Sequence, residues 1–222
     1  MSHTEDSPQL SVKVLSDPKR KRATGRIRGT TIEVHLPQNW RKMYKQDVIT
    51  HLSAHLQKMF HRDYQLFRHS KEPRISIANK AALISYINQL NAETLQVPLN
   101  GIRMGSSKYT QLAQMNLKTR IMTVSKYCLK DVPQSAFRYL IIHELAHLKV
   151  PNHSKAFWDE VKQFVPDYKI QRKLIAAAHR VHVYEAELSS FKSIDTEIKT
   201  VAEASPTGRF KQLLFSLFPQ NR

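Results

Sequence analysis

His143-Glu144-Leu145-Ala146-His147-Leu148-Lys149-Val150-Pro151-Asn152-His153 is the stretch on which the reading of this 222-residue chain turns. Residues four apart on a helix project from one face, a turn from each other. Two imidazoles so placed can reach a single metal ion, and the glutamate between them is left free to act as general base on water that the metal activates. A catalytic zinc takes three protein ligands and keeps one position open, and His153 is the next imidazole. Five residues separate it from His147, with Pro151 fourth among them, so the chain can leave the helix and turn back. The expected metal ligands are therefore His143, His147 and His153, with Glu144 catalytic and Zn2+ as cofactor. Glu160 is the rival third ligand and is better suited to supporting the ligands from behind.

Immediately upstream, Phe137, Leu140, Ile141, Leu145 and Leu148 form an apolar stripe at helical spacing. Asp131 reads as the helix N-cap, with Gln134 three residues on completing a capping box, and Pro133 suits the first turn. Further out, Ile121-Met122-Thr123-Val124 reads as a strand after the Gly105-Ser106-Ser107 turn, and Thr31 to Leu36 as a strand ended by Pro37. Helical periodicity covers about Met43 to Phe67, Lys80 to Leu95, Ala156 to Phe164 and Tyr168 to Leu188. The fold class is α+β, with a small sheet packed on the histidine-bearing helix and a strand/helix region before it. The expected organisation is a flexible tail over 1–17, a basic strand/helix region over 18–78, the catalytic domain over 79–188 and a C-terminal extension over 189–222. Phe210 to Phe218 is an apolar cluster read as a docked terminal helix, with partner binding as the alternative.

Bulk properties narrow the function. Thirty-five Lys and Arg against 18 Asp and Glu give +17, a surface that attracts polyanions weakly and in a salt-dependent way. Only 5 glycines argue against a glycine-rich phosphate-binding fold. One cysteine, Cys128, excludes an internal disulfide and a cysteine-ligated zinc ribbon, and fits a reducing cytoplasm. Polar residues 1–18 do not read as a signal peptide, and no apolar run is long enough for a membrane span. His51 and His55 are also four apart but lack a glutamate and a third ligand, so they read as helix surface. His179 and His182 read as core or surface residues. The basic run Lys19-Arg20-Lys21-Arg22 with Arg26 and Arg28 reads equally as a solvated edge strand or as a polyanion-binding arm.

Val132-Pro133, Tyr139 through Leu148, Asn152-His153-Ser154 and Phe157-Trp158 together resemble the YgjP-like metallopeptidases, relatives of the SprT and Spartan proteases among the zincins. Pro166-Asp167-Tyr168 and Lys173-Leu174 fit the same resemblance. It implies a zincin-like fold with zinc on His143, His147 and His153 and Glu144 as base. The chain departs from that family's Trp-Gly-Ser-Cys-like segment, offering Met104-Gly105-Ser106-Ser107, or Leu112-Ala113 closer to the strand, instead. The histidine spacing also equals that of the metzincins, but Val150 stands where they need glycine and all six methionines precede His143. The expected function is zinc-dependent hydrolysis of peptide bonds, with a peptide or protein as substrate and no membrane partner. Its rivals are a metal-dependent hydrolase of nucleotides or phosphate esters, a DNA-associated protease of the SprT kind, and a metal-binding module without catalysis.

Overall fold

A computed structural model describes residues 8–109 and 111–204, with side chains to Phe191. Its contacts divide the chain into Met1–Tyr184 and Glu185–Arg222. In the first unit, β1 (Ser11–Asp17), β2 (Thr24–Arg28) and β3 (Thr31–Pro37) form a sheet in the order β1-β3-β2. β1 runs parallel to β3, and β2 runs antiparallel to it. The alternation read in Thr31–Leu36 places Ile32, Val34 and Leu36 on the buried face, which the helix α1 (Lys42–Arg68) covers with Leu56 and Phe60. Gly25 allows β2 to lie close on that helix: a Cβ there would meet Leu56 Cδ1 at 2.6 Å.

The stretch expected as a tail is a strand from Ser11 onward, and this corrects that expectation. Val12 and Val14 are exposed, so β1 is held by its backbone ladder to β3 rather than by a buried face. Leu10 N–H adds a bond to Gln57 Oε1 at 3.0 Å.

The second half of the first unit is built around one helix. After β4 (Arg74–Ile75) and α2 (Lys80–Glu93) come β5 (Gly101–Gly105), β6 (Ala113–Asn116) and β7 (Ile121–Ser125), in the order β5-β7-β6. β8 (Val132–Pro133) pairs antiparallel with β4 and leads into α3 (Gln134–Ala146). α4 (Lys155–Phe164) and α5 (Tyr168–Ala204) follow. α3 is apolar nearly all round, the mark of a helix enclosed on every side. Phe137, Ile141, Ile142 and Leu145 are fully buried, among Leu83 and Ile87 of α2, Met122 and Val124 of β7, and Ile175 and Ala178 of α5. At roughly 1.5–3 kcal/mol for each large side chain removed from water, this is where the fold's stability concentrates.

Asp131 is not the N-cap expected of it. It takes a positive φ of 51° and pairs with Arg74 at 3.1 Å, while α3 begins three residues later without a side-chain cap. The two-residue β4–β8 bridge and a bond from Gln134 N–H to the Pro73 carbonyl at 2.8 Å enter the helix instead. Among the described residues no helix is long and apolar enough to cross a membrane. In the second unit the described residues continue α5 to Ala204; the Phe210–Phe218 cluster lies outside them.

Candidate metal centre

α3 carries His143 and Glu144 in its last turn, and His147 caps its C-terminus. Leu148 N–H and Val150 N–H still bond to the carbonyls of Leu145 and Ala146 at 3.0 and 2.9 Å before Pro151 ends the run. The chain then doubles back, with Asn152 Oδ1 accepting from Ser154 N–H at 3.2 Å, and Ser154 stands at the N-cap position of α4 without a side-chain capping bond. This turn brings His153 over the end of α3. Among the described residues, one group of metal-capable side chains converges: His143, His147 and His153 present ring nitrogens within 4.8 Å of one another.

His143 Nε2 and His153 Nε2 stand 3.1 Å apart. Two nitrogens on one tetrahedral ion at 2.0–2.1 Å would stand roughly 3.3 Å apart, so the spacing suits a shared cation. The outer nitrogens have partners of their own. His143 Nδ1 lies 3.4 Å from Tyr139 Oη, and His147 Nδ1 can donate to the Pro151 carbonyl at 3.2 Å. Both contacts fix ring orientation and leave the Nε2 lone pairs for a metal. Phe157, fully buried, touches all three rings at centroid distances of 4.6–4.9 Å.

The electrostatics suit neutral imidazoles. Burial, then the charges of His147, His153 and Arg172, push His143 down to about 3. Burial and His153 lower His147, against the carbonyls of Pro151 and Val150. Burial pushes the Glu144 carboxyl up to about 7, partly offset by a hydrogen bond from the Met115 backbone of β6. That carboxyl is therefore poised to hold or release a proton near neutrality.

A cleft of about 570 Å3 opens over the cluster, lined by His143, Glu144, His153, Tyr139, Ala113 and Arg172 among others. Tyr139 and Arg172 are absent from the site expected from sequence. Tyr139 precedes His143 by four residues, a same-face spacing that could have flagged it. Arg172 carries no such signal, because only packing of α5 beside α3 brings it to the cleft. Glu160 is elsewhere, paired with Lys149 at 3.1 Å. His51 and His55 are exposed on α1, as expected of surface residues. His179 is buried near Ser125, and His182 Nδ1 lies 3.0 Å from the Tyr127 carbonyl. Cys128 is fully buried, and burial pushes its thiol up and out of the reactive range.

An α+β domain whose buried central helix carries converging imidazoles beside a buried carboxyl is organised as metallopeptidases are. Residues 74–178 match the family described as YgjP-like, metallopeptidase domain. The family implies a bound metal. An uncharacterized protein of Methanocaldococcus jannaschii is 28% identical over 74 residues, covering 29% of this chain and 67% of that protein. The crystal structure of the metallopeptidase zymogen abylysin of Pyrococcus abyssi is 24% identical, with a TM-score of 0.36 over 41% of this chain and 87% of that one.

Proposed function

We propose that the protein is a zinc-dependent metallopeptidase that hydrolyses peptide bonds, with His143, His147 and His153 as ligands and Glu144 as general base. The observation that carries this reading is the convergence of three imidazoles within 4.8 Å beside one buried carboxyl on the same helix. The donor set fits zinc: three imidazole nitrogens converge, and among the described residues no fourth protein donor joins them, which leaves a position open. When bound, zinc supplies a Lewis acid that polarises the scissile carbonyl and acidifies water. Glu144 takes the proton of the attacking water and returns it to the leaving amine. Tyr139 holds the His143 ring through its outer nitrogen. β6 is the outer strand of its sheet and its Ala113 lines the cleft, which offers an extended peptide a backbone edge to pair with. The lone, buried Cys128 supports a cytoplasmic setting.

A phosphate-ester substrate is the second reading, favoured by Arg172 in the cleft and by the +17 charge. That charge also supports a weak, salt-dependent affinity for nucleic acid. Metal analysis of the purified protein, with casein and a nucleotide panel assayed side by side, tests these readings together. One equivalent of zinc and casein cleavage are expected. Cleavage of nucleotides alone would reject the peptidase.

A further inference from the structure

The cleft over the histidines does not end at Arg172. A second hollow of about 560 Å3 shares Trp158, Arg172 and Ala176 with it, so the two adjoin at those side chains. The extension is floored by Trp158 and Tyr168, stacked at 4.7 Å, and walled by Lys169, Arg172 and Lys173 on successive turns of α5. All three cations are exposed, and no acidic side chain lines the hollow. Asp167, the nearest carboxylate in sequence, accepts a hydrogen bond from Gln171 at 2.7 Å instead. On a chain of +17, cations clustered without a carboxylate repel one another, an arrangement relieved by an anionic ligand.

The occupant can be narrowed further. Stacking a nucleobase needs an open aromatic face. Tyr168 is only 9% exposed, and Trp158 already stacks on both Tyr168 and, at 5.6 Å, His153. The rings therefore form an apolar floor, not a platform for bases. Arg172 offers a planar fork that matches a carboxylate. Resting on the peptidase reading, we infer that this extension is a subsite for a carboxylate of the substrate, selecting peptides with an acidic side chain or a free C-terminus near the scissile bond.

The test uses internally quenched peptides carrying Glu or Gln in turn at each position flanking the bond, and a second series with free or amidated C-termini. The two series distinguish a side-chain carboxylate from a terminal one. Wild-type protein should favour the charged member at one position roughly tenfold in kcat/KM, as expected of exposed ion pairs acting together. Lys169→Gln with Lys173→Gln should erase that preference, and Lys169→Glu with Lys173→Glu should turn it toward Lys-bearing peptides. Lys19→Gln with Lys21→Gln, which removes the same charge elsewhere, should leave it intact. No preference at any position, or a preference lost equally in the control, overturns the subsite. Should no peptide be cleaved, fluorescence anisotropy with labelled acidic and neutral peptides on Glu144→Gln protein still decides it. Selective binding that depends on Lys169 and Lys173 upholds the subsite while the peptidase reading fails. Binding of an oligonucleotide through those residues, without acidic selectivity among peptides, overturns it in favour of nucleic acid.

Discussion

Phe157 has no exposed surface and lies against His143, His147 and His153 at ring-centroid distances of 4.9, 4.6 and 4.8 Å. If it holds those imidazoles in their converged rotamers, replacing it by Leu should weaken metal binding more than it weakens the fold. Leu keeps most of the volume, so the stability cost should be roughly 1–2 kcal/mol. The effect on metal affinity follows from rotamer freedom. A side chain released from one staggered well into three gains RT ln 3, about 0.65 kcal/mol. Three rings released together make about 2 kcal/mol of reordering on metal binding, roughly 30-fold in Kd. Competition for zinc against a chromophoric chelator measures the affinity, and thermal unfolding of the metal-free protein measures the fold separately. A Kd within about threefold of wild type, with a lowered Tm of the metal-free protein, would show that Phe157 fills the core without orienting the ligands.

Glu144→Gln should retain a full equivalent of zinc by metal analysis yet lose roughly 10²–10⁴-fold in kcat on casein; full activity would refute the general-base role. Removing zinc with a chelator should lower Tm, because a metal held at 100 times its Kd contributes about 2.7 kcal/mol to the folded state; an unchanged Tm argues against a preformed site. His179 is held at about 4 by burial, then raised somewhat by its bond to the Ser107 carbonyl and lowered by His182, against an ordinary value of 6.5. Its folded-state pKa is depressed, so the unfolded chain takes up the proton first: the stability is complete above pH 6.5 and is lost as pH falls toward 4, by about 3 kcal/mol. Urea titrations from pH 7.5 to 4 should therefore fall less steeply for His179→Gln than for wild type, and parallel curves would refute this. Gly25→Ala would set a Cβ 2.6 Å from Leu56 Cδ1, the tip of a buried side chain, and should cost roughly 1 kcal/mol in urea unfolding; a cost below about 0.5 kcal/mol would mean that the Leu56 side chain turns aside freely.

The parts of this fold that were legible in sequence are those held by local periodicity. α3 announces itself because an apolar helix interrupted by His143 and His147 has few other uses, and Pro151 marks where it must stop. β3 and β7 are visible because buried strands select β-branched and apolar residues. The parts that were hidden depend on distant partners. β1 is stabilised by a parallel ladder to β3, its paired residues twenty positions apart in sequence, while its valines stay in water. Asp131 looks like a helix cap in isolation; Arg74, far off in sequence, draws its carboxylate into an ion pair and leaves its backbone in a positive-φ turn. The imidazoles of the site were readable from spacing alone, whereas Arg172 enters the cleft only through the packing of α5.

Placing a cation site on a chain of +17 requires local charge to oppose the global one. The geometry does this with backbone dipoles. His143 and His147 occupy the C-terminal turn of α3, the negative end of the helix dipole, which would favour a cation. Glu144 adds a buried carboxyl one residue away. Arg172 works in the opposite sense: it repels a metal, but its charge also helps keep His143 free of a proton and therefore available as a ligand. The same guanidinium stands where the two hollows meet, outside the histidine cluster and facing the substrate's path. On the proposed function, the negative end of a helix beneath and a positive wall beside would separate two jobs, a cation at the floor of the cleft and an anion at its rim.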